Sequence, residues 1–112
     1  MRPTRVTVGA LGASNPIALD TFRNPFNVGI GVAVAPGSTL TYTVEHTFDD
    51  VFSPSFDAGT AVWYPNTGLT SQSASNTGNY AFPVVAVRLR IATYTAGSAT
   101  MTLVQSGKIG VN

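Results

Sequence analysis

The stretch Ser38-Thr-Leu-Thr-Tyr-Thr-Val-Glu-His-Thr-Phe-Asp-Asp50 decides the fold. Leu40, Tyr42, Val44, His46 and Phe48 fall on one side of it. Thr39, Thr41, Thr43, Glu45 and Thr47 fall on the other. Side chains on a strand alternate between faces with period two, so the pattern predicts a half-buried strand with an apolar face and a threonine face. We read it as the central strand of a small all-β module. It is also the place where His, Glu and Asp come closest together in the sequence.

Upstream, residues 26–35 predict a second strand. Phe26, Val28, Ile30, Val32 and Val34 alternate with Asn27, Gly29, Gly31, Ala33 and Ala35. Glycine inside a strand implies a bend, close sheet packing or another subunit against that face. Ala35-Pro36-Gly37-Ser38 is a turn, so these two strands are expected to form a hairpin. Earlier still, residues 5–9 and 17–22 predict short strands around a loop of turn-forming residues at 9–16. Met1 to Thr4 reads as a short N-terminal arm with Arg2 and Arg5 at its root.

Downstream, residues 49–79 are irregular. A short strand is expected at 60–64, and residues 65–79 read as a long polar loop with almost nothing to bury. Regular alternation returns at 84–94, where Val85, Val87, Leu89 and Ile91 oppose Arg88, Arg90 and Ala92. Ala96-Gly97-Ser98 predicts a turn into a strand at 99–105, again as a hairpin. Residues 106–112 read as a tail that could add an edge strand or dock on a neighbour. No amphipathic helix and no internal repeat is evident. Short strands spaced by Gly, Pro, Asn and Ser turns predict an all-β chain: one antiparallel β-sandwich domain over residues 1–112, jelly-roll-like.

Composition narrows the function. The chain of 112 residues is only 10% charged, with a formal net charge of +1, while 44% is hydrophobic. An average soluble domain carries roughly 25% charge. Weak self-repulsion fits a protein that lives packed against copies of itself or a partner. There are no cysteines, which excludes disulfides, cysteine-ligated zinc and thiol catalysis, and fits synthesis in a reducing cytosol. No signal peptide or membrane-length apolar run is expected.

The candidate chemistry is sparse. Asp49, Asp50 and Asp57 could offer oxygen ligands, but their spacing matches no calcium loop, and solvation of a strand end accounts for them. With one histidine in the chain, the common histidine zinc sites are out of reach. His46 reads as a half-buried, hydrogen-bonded side chain that could respond to pH at an interface. No nucleophile elbow and no facing carboxylate pair is present, so the chain is not expected to be an enzyme or to need a cofactor. Six basic residues make no phosphate-tracking stripe, so no nucleic-acid partner is expected. Arg88 and Arg90 on one strand face suit either solvent or an acidic protein surface. Trp63, Tyr64 and Tyr80 bracket the polar loop. They either cap an open end of the sandwich, stack on sugar rings or anchor a protein partner.

One resemblance runs through most of the chain. It rests on Asn24-Pro25-Phe26-Asn27-Val28, the run from Leu40 to Asp50, Trp63-Tyr64, the run Gly78-Asn79-Tyr80-Ala81-Phe82-Pro83-Val84-Val85-Ala86-Val87-Arg88-Leu89-Arg90, and the closing threonine-rich strand. In this order they resemble the small β-sandwich cement or decoration proteins of tailed-bacteriophage heads. The resemblance implies a virion structural protein made in the host bacterial cytoplasm and carried on the capsid surface. It implies that the chain bridges capsomers of the major capsid protein as a homo-dimer or homo-trimer, away from membranes. Arg2, Arg5, Arg88 and Arg90 would then contact the shell. Trp63, Tyr64 and Tyr80 would contact the shell or another partner. The alternative is a tail, collar or fibre component whose aromatic surface faces host glycans; a third reading is a free carbohydrate-binding module, with exposed aromatics on one face and no self-association.

Overall fold

The alternating apolar runs form strands that bury one face each. The computed structural model describes residues 3–21 and 23–109. Nine strands are described: β1 (Thr4–Val8), β2 (Gly12–Ala13), β3 (Ile17–Ala18), β4 (Arg23–Val34), β5 (Thr39–Thr47), β6 (Trp63–Pro65), β7 (Asn76–Tyr80), β8 (Ala86–Ala96) and β9 (Ala99–Ile109). A single 3-10 turn spans Thr67–Leu69. One sheet has the order β1-β9-β4-β7. The other has the order β2-β8-β5-β6, with β3 also beside β8. Neighbouring strands run antiparallel throughout. The two sheets pack face to face as a β-sandwich.

The core lies between them. Val28, Ile30 and Val32 of β4 and Met101 and Leu103 of β9 meet Tyr42 and Val44 of β5 and Leu89 and Ile91 of β8, all at 3% exposure or less. Each such side chain contributes about 1.5–3 kcal/mol when fully withdrawn from water. Leu40, Tyr42, Val44, His46, Val87, Leu89 and Ile91 face inward as predicted, but Phe48 is 53% exposed, Val85 is only half-buried beside the buried Val84 and Ala86, and Thr43 and Thr47 of the expected threonine face are buried.

Both expected hairpins are corrected. β4 pairs with β9 and β7, while β5 pairs with β8 and β6. The turns at 35–38 and 96–98 therefore carry the chain from one sheet to the other. Gly37 and Gly97 have φ of +78° and +98°, as tight reversals require, and such glycines suit an arch between sheets as well as a hairpin. The two arches lie side by side. Ala35 N–H donates to Ser98 O at 3.0 Å, and Ser98 N–H donates to Ser38 Oγ at 3.2 Å. A Cβ on Gly97 would overlap the Ser38 side chain. We call this the arch end of the sandwich.

The polar segment 65–79 is also corrected. It is not a free loop. Leu69 is fully buried, and Tyr42 and Gln72 exchange backbone hydrogen bonds across an isolated bridge. Residues 76–80 then form β7, an edge strand on β4. This segment closes one side of the sandwich between the two sheets. Smaller differences occur near the N-terminus. β2 lies within the expected loop at 9–16, and β3 covers only two residues of the expected strand at 17–22. β9 runs on through Ile109 into the expected tail, paired with the start of β4 across an irregularity between Asn24 and Asn27.

Gln105, 1% exposed, fixes the connection after β3. It accepts from Asp20 N–H at 3.0 Å and donates to Asp20 O at 2.6 Å. The chain beside the end opposite the arches is thereby held in place.

Candidate functional site

The open end of the sandwich, opposite the arches, is built around His46. The residue sits near the end of β5 and is 6% exposed. Its Nδ1 shares a 2.8 Å hydrogen bond with the Tyr80 hydroxyl. That bond joins β5 of one sheet to β7 of the other. Four rings surround the imidazole. Tyr64 stacks on it at 5.7 Å with an interplanar angle of 26°. Phe48, Tyr80 and Phe82 meet it edge to face at 5.4, 4.8 and 5.7 Å. Phe48 also lies 5.8 Å from Tyr64 and 6.5 Å from Phe82. Such contacts add about 0.5–1.5 kcal/mol per pair beyond simple burial.

This cluster is half core and half surface. Tyr80 is 1% exposed, but Phe48, Tyr64 and Phe82 are 53%, 46% and 49% exposed, and nearby Phe52 is 78% exposed. Burial lowers the His46 pKa below its ordinary value, so the imidazole is neutral near pH 7. Burial raises the Tyr80 hydroxyl far above its ordinary value; the Asn66 side chain opposes this weakly and the Glu45 charge adds to it.

Two recesses flank the Phe48–Phe82 ridge. One, of about 410 Å³, lies among Leu19, Phe48, Phe52 and Val85, with Asp20 and Asp50 beside them. The other is a groove of about 580 Å³ between Phe82 and His46 at one end and the facing walls formed by residues 65–68 and 77–80.

The residues expected to contact a shell or partner do not gather on one surface. Tyr64 and Tyr80 come together at His46, but Trp63 points to the outer face of its sheet. There its ring lies 4.1 Å beneath the Arg88 guanidinium, and its indole N–H donates to Ala58 O at 3.0 Å. Arg88 Nε donates to Glu45 Oε1 at 2.8 Å, with both side chains mostly buried. Cross-strand register explains the pairing, since Glu45 lies directly opposite Arg88. Arg88 is thus committed within its own sheet, whereas Arg90 on the same face is exposed. Arg5 is exposed on the outer face of the other sheet. Arg2 lies outside the described residues.

The acidic run serves the backbone. Asp49 Oδ2 accepts from Val62 N–H, Asp50 Oδ1 from Phe52 N–H, and Asp57 Oδ1 from Gly59 N–H, at 2.8–3.0 Å. Among the described residues, no group of three or more His, Asp or Glu side chains is placed to hold a metal ion. The outer face carrying Gly29 and Gly31 stays open: a Cβ on Gly31 would meet nothing within 4 Å. The close packing expected there is not made within this chain.

Sequence reading missed Phe82 and the His46–Tyr80 bond. The available signal was the spacing of Tyr80 and Phe82, two residues apart like His46 and Phe48, which places both pairs of rings at one end if the strands are neighbours.

Comparison of the chain with protein-family models, with curated proteins and with solved structures returned no match.

Proposed function

We propose that this protein is a structural component of a tailed-bacteriophage virion: a capsid cement or decoration protein that bridges capsomers of the major capsid protein, acting as a dimer or trimer. The observation that carries the reading is the exposed aromatic end. Phe48 and Phe52 stand half or more in solvent beside the apolar floor of Leu19 and Val85. Scattered exposed apolar residues are normal, but a contiguous patch of this kind suits a protein interface. Aromatic side chains, phenylalanine included, are enriched at the cores of protein interfaces.

The strand order adds support. With β2 and β3 counted as one edge strand, each sheet has four strands. Two four-stranded antiparallel sheets, β1-β9-β4-β7 and β2-β8-β5-β6, are what an eight-stranded jelly roll would have, an architecture used by capsid proteins. That support is analogy at the level of fold. The low charge fits a chain that functions inside an assembly. Many weak contacts, repeated over a shell, would hold it by avidity. Arg5 and Arg90 remain exposed for secondary contacts, whereas Arg88 is engaged internally.

The test is co-sedimentation of the purified protein with undecorated heads of its phage, followed by averaged images of the complex. Regular density between capsomers is the expected result. Binding to tails and not to heads would replace the cement reading with a tail component.

A further inference from the structure

The groove on the far side of Phe82 has a chemistry distinct from the Phe48–Phe52 recess. Its walls carry no carboxylate, lysine or arginine. The ionisable groups there, His46 and Tyr80, share a hydrogen bond with each other. A phosphate, a carboxylate or an ammonium group would lose its water and meet no opposite charge, which is costly. The walls do offer neutral hydrogen-bonding groups. Thr67, Thr77 and Asn79 are exposed and line the groove. Their side chains make no hydrogen bond to the described residues.

The walls are also held in place. Asn66 Oδ1 accepts from Gly68 N–H at 3.0 Å, and Asn66 Nδ2 donates to Asn79 O at 3.3 Å. Asn66 N–H donates to Val44 O at 2.8 Å, fastening the turn to β5. Gly78 lets β7 approach this turn, because a Cβ there would lie 2.8 Å from Leu69 Cδ1.

Strand addition by a peptide is opposed at the same edge. Asn79 O is taken by Asn66, and Thr77 N–H is taken by its neighbour Asn76 Oδ1 at 2.8 Å. A continuous backbone ladder would have to displace both, which is how edge strands avoid pairing. The groove therefore suits a compact ligand. Aromatic surface completes it: Phe82, half exposed, stands at one end of the groove.

We propose that this groove binds a neutral saccharide, with Phe82 packing on the C–H face of a pyranose ring and Thr67, Thr77 and Asn79 hydrogen-bonding its hydroxyls. An uncharged polyol with one apolar face matches both halves of the lining. The volume of about 580 Å³ falls within the range of small-molecule sites. Lectin domains share the jelly-roll architecture, a parallel of fold alone. The groove is separated from the Phe48–Phe52 recess by the aromatic ridge, so the proposal stands apart from the capsid reading.

The test is a two-dimensional amide NMR titration of the isolated protein with three neutral probes: the disaccharides of glucose, mannose and N-acetylglucosamine. At least one should produce saturable shifts at the Thr67, Thr77 and Asn79 amides, with a Kd on the order of 1 mM. Asn79→Ala removes an exposed side chain with no internal partner and should weaken binding about tenfold, the scale of one hydrogen bond. Phe82→Ala should abolish it. Tyr94→Ala, at the arch end, should leave it unchanged. No shift with any probe up to about 20 mM, twenty times that Kd, would overturn the proposal. So would binding that survives both Asn79→Ala and Phe82→Ala unaltered. Neither result depends on attachment to heads.

Discussion

The two ends of this sandwich solve chain reversal in opposite ways. At the arch end, two turns cross between sheets side by side and satisfy each other's backbone groups. Positive-φ glycines and a serine pair make that end tight, and Tyr94 is turned back by a hydroxyl bond to Gly97 O at 3.1 Å. At the other end the space is filled by rings around one imidazole. Those rings are only half covered. The arch end is thus specified by backbone geometry and tolerates little change. The aromatic end is specified by side chains and retains apolar surface that the chain itself does not use.

The contrast can be broken first at the arches. Gly97→Ala forces a side chain onto a φ of +98° and into Ser38. Strain and overlap together should cost about 4 kcal/mol, read as a lower urea midpoint with unchanged slope. A loss under about 1 kcal/mol would mean that the arches adjust freely. Leu69→Ala comes next. It empties a fully buried site under the segment 65–79 and should cost about 3 kcal/mol. Near-neutral behaviour would restore the view of that segment as a free loop.

Arg88→Ala removes the Glu45 ion pair and the stacking on Trp63. Because both partners are mostly buried, the loss should be about 1–2 kcal/mol, above the median for surface pairs. A change within about 0.3 kcal/mol would put Arg88 back among the solvated arginines.

Acid should loosen the aromatic end. The His46 pKa is lowered in the folded state, so the unfolded chain binds more protons once pH falls below its value of about 6.5. The stability that depends on neutral His46 is present above that pH. It is lost as pH falls from there through the lower folded value. Glu45, turned to the opposite face of β5 and paired with Arg88, is the nearest carboxylate on that strand, and Asp49 and Asp50 follow it. A His46→Gln variant should lose this part of the pH dependence. An unchanged profile would show that other groups govern it. The smallest expected effect is at the rim. Phe52→Ser should change stability by no more than about 0.5 kcal/mol, since the ring is 78% exposed.

Periodicity made the strands legible. Alternation placed Val87, Leu89 and Ile91 inward and Arg88 and Arg90 outward, and burial follows that division. Sheet membership was not legible. Ala35-Pro36-Gly37-Ser38 and Ala96-Gly97-Ser98 are reversal signals, and a reversal within a sheet uses the same residues as an arch between sheets. Leu69 was hidden because one apolar residue in a polar run has no period. The Glu45–Arg88 pair required the β5–β8 register, and His46–Tyr80 required knowing that β5 and β7 face each other across the core. Each missing feature joins residues far apart in sequence, where local pattern carries no signal.

Hydrogen–deuterium exchange on free and head-bound protein tests the central claim most directly. The claim is that the aromatic end meets the shell while the arch end stays free. It predicts that binding slows exchange at residues 48–56 and 82–85, leaves residues 35–38 and 95–98 unaltered, and that Phe48→Ser combined with Phe52→Ser removes the change, while Leu11→Ser, at an exposed side chain just before β2, does not. Protection centred on the arches, or head binding untouched by the loss of both phenylalanines, would contradict it.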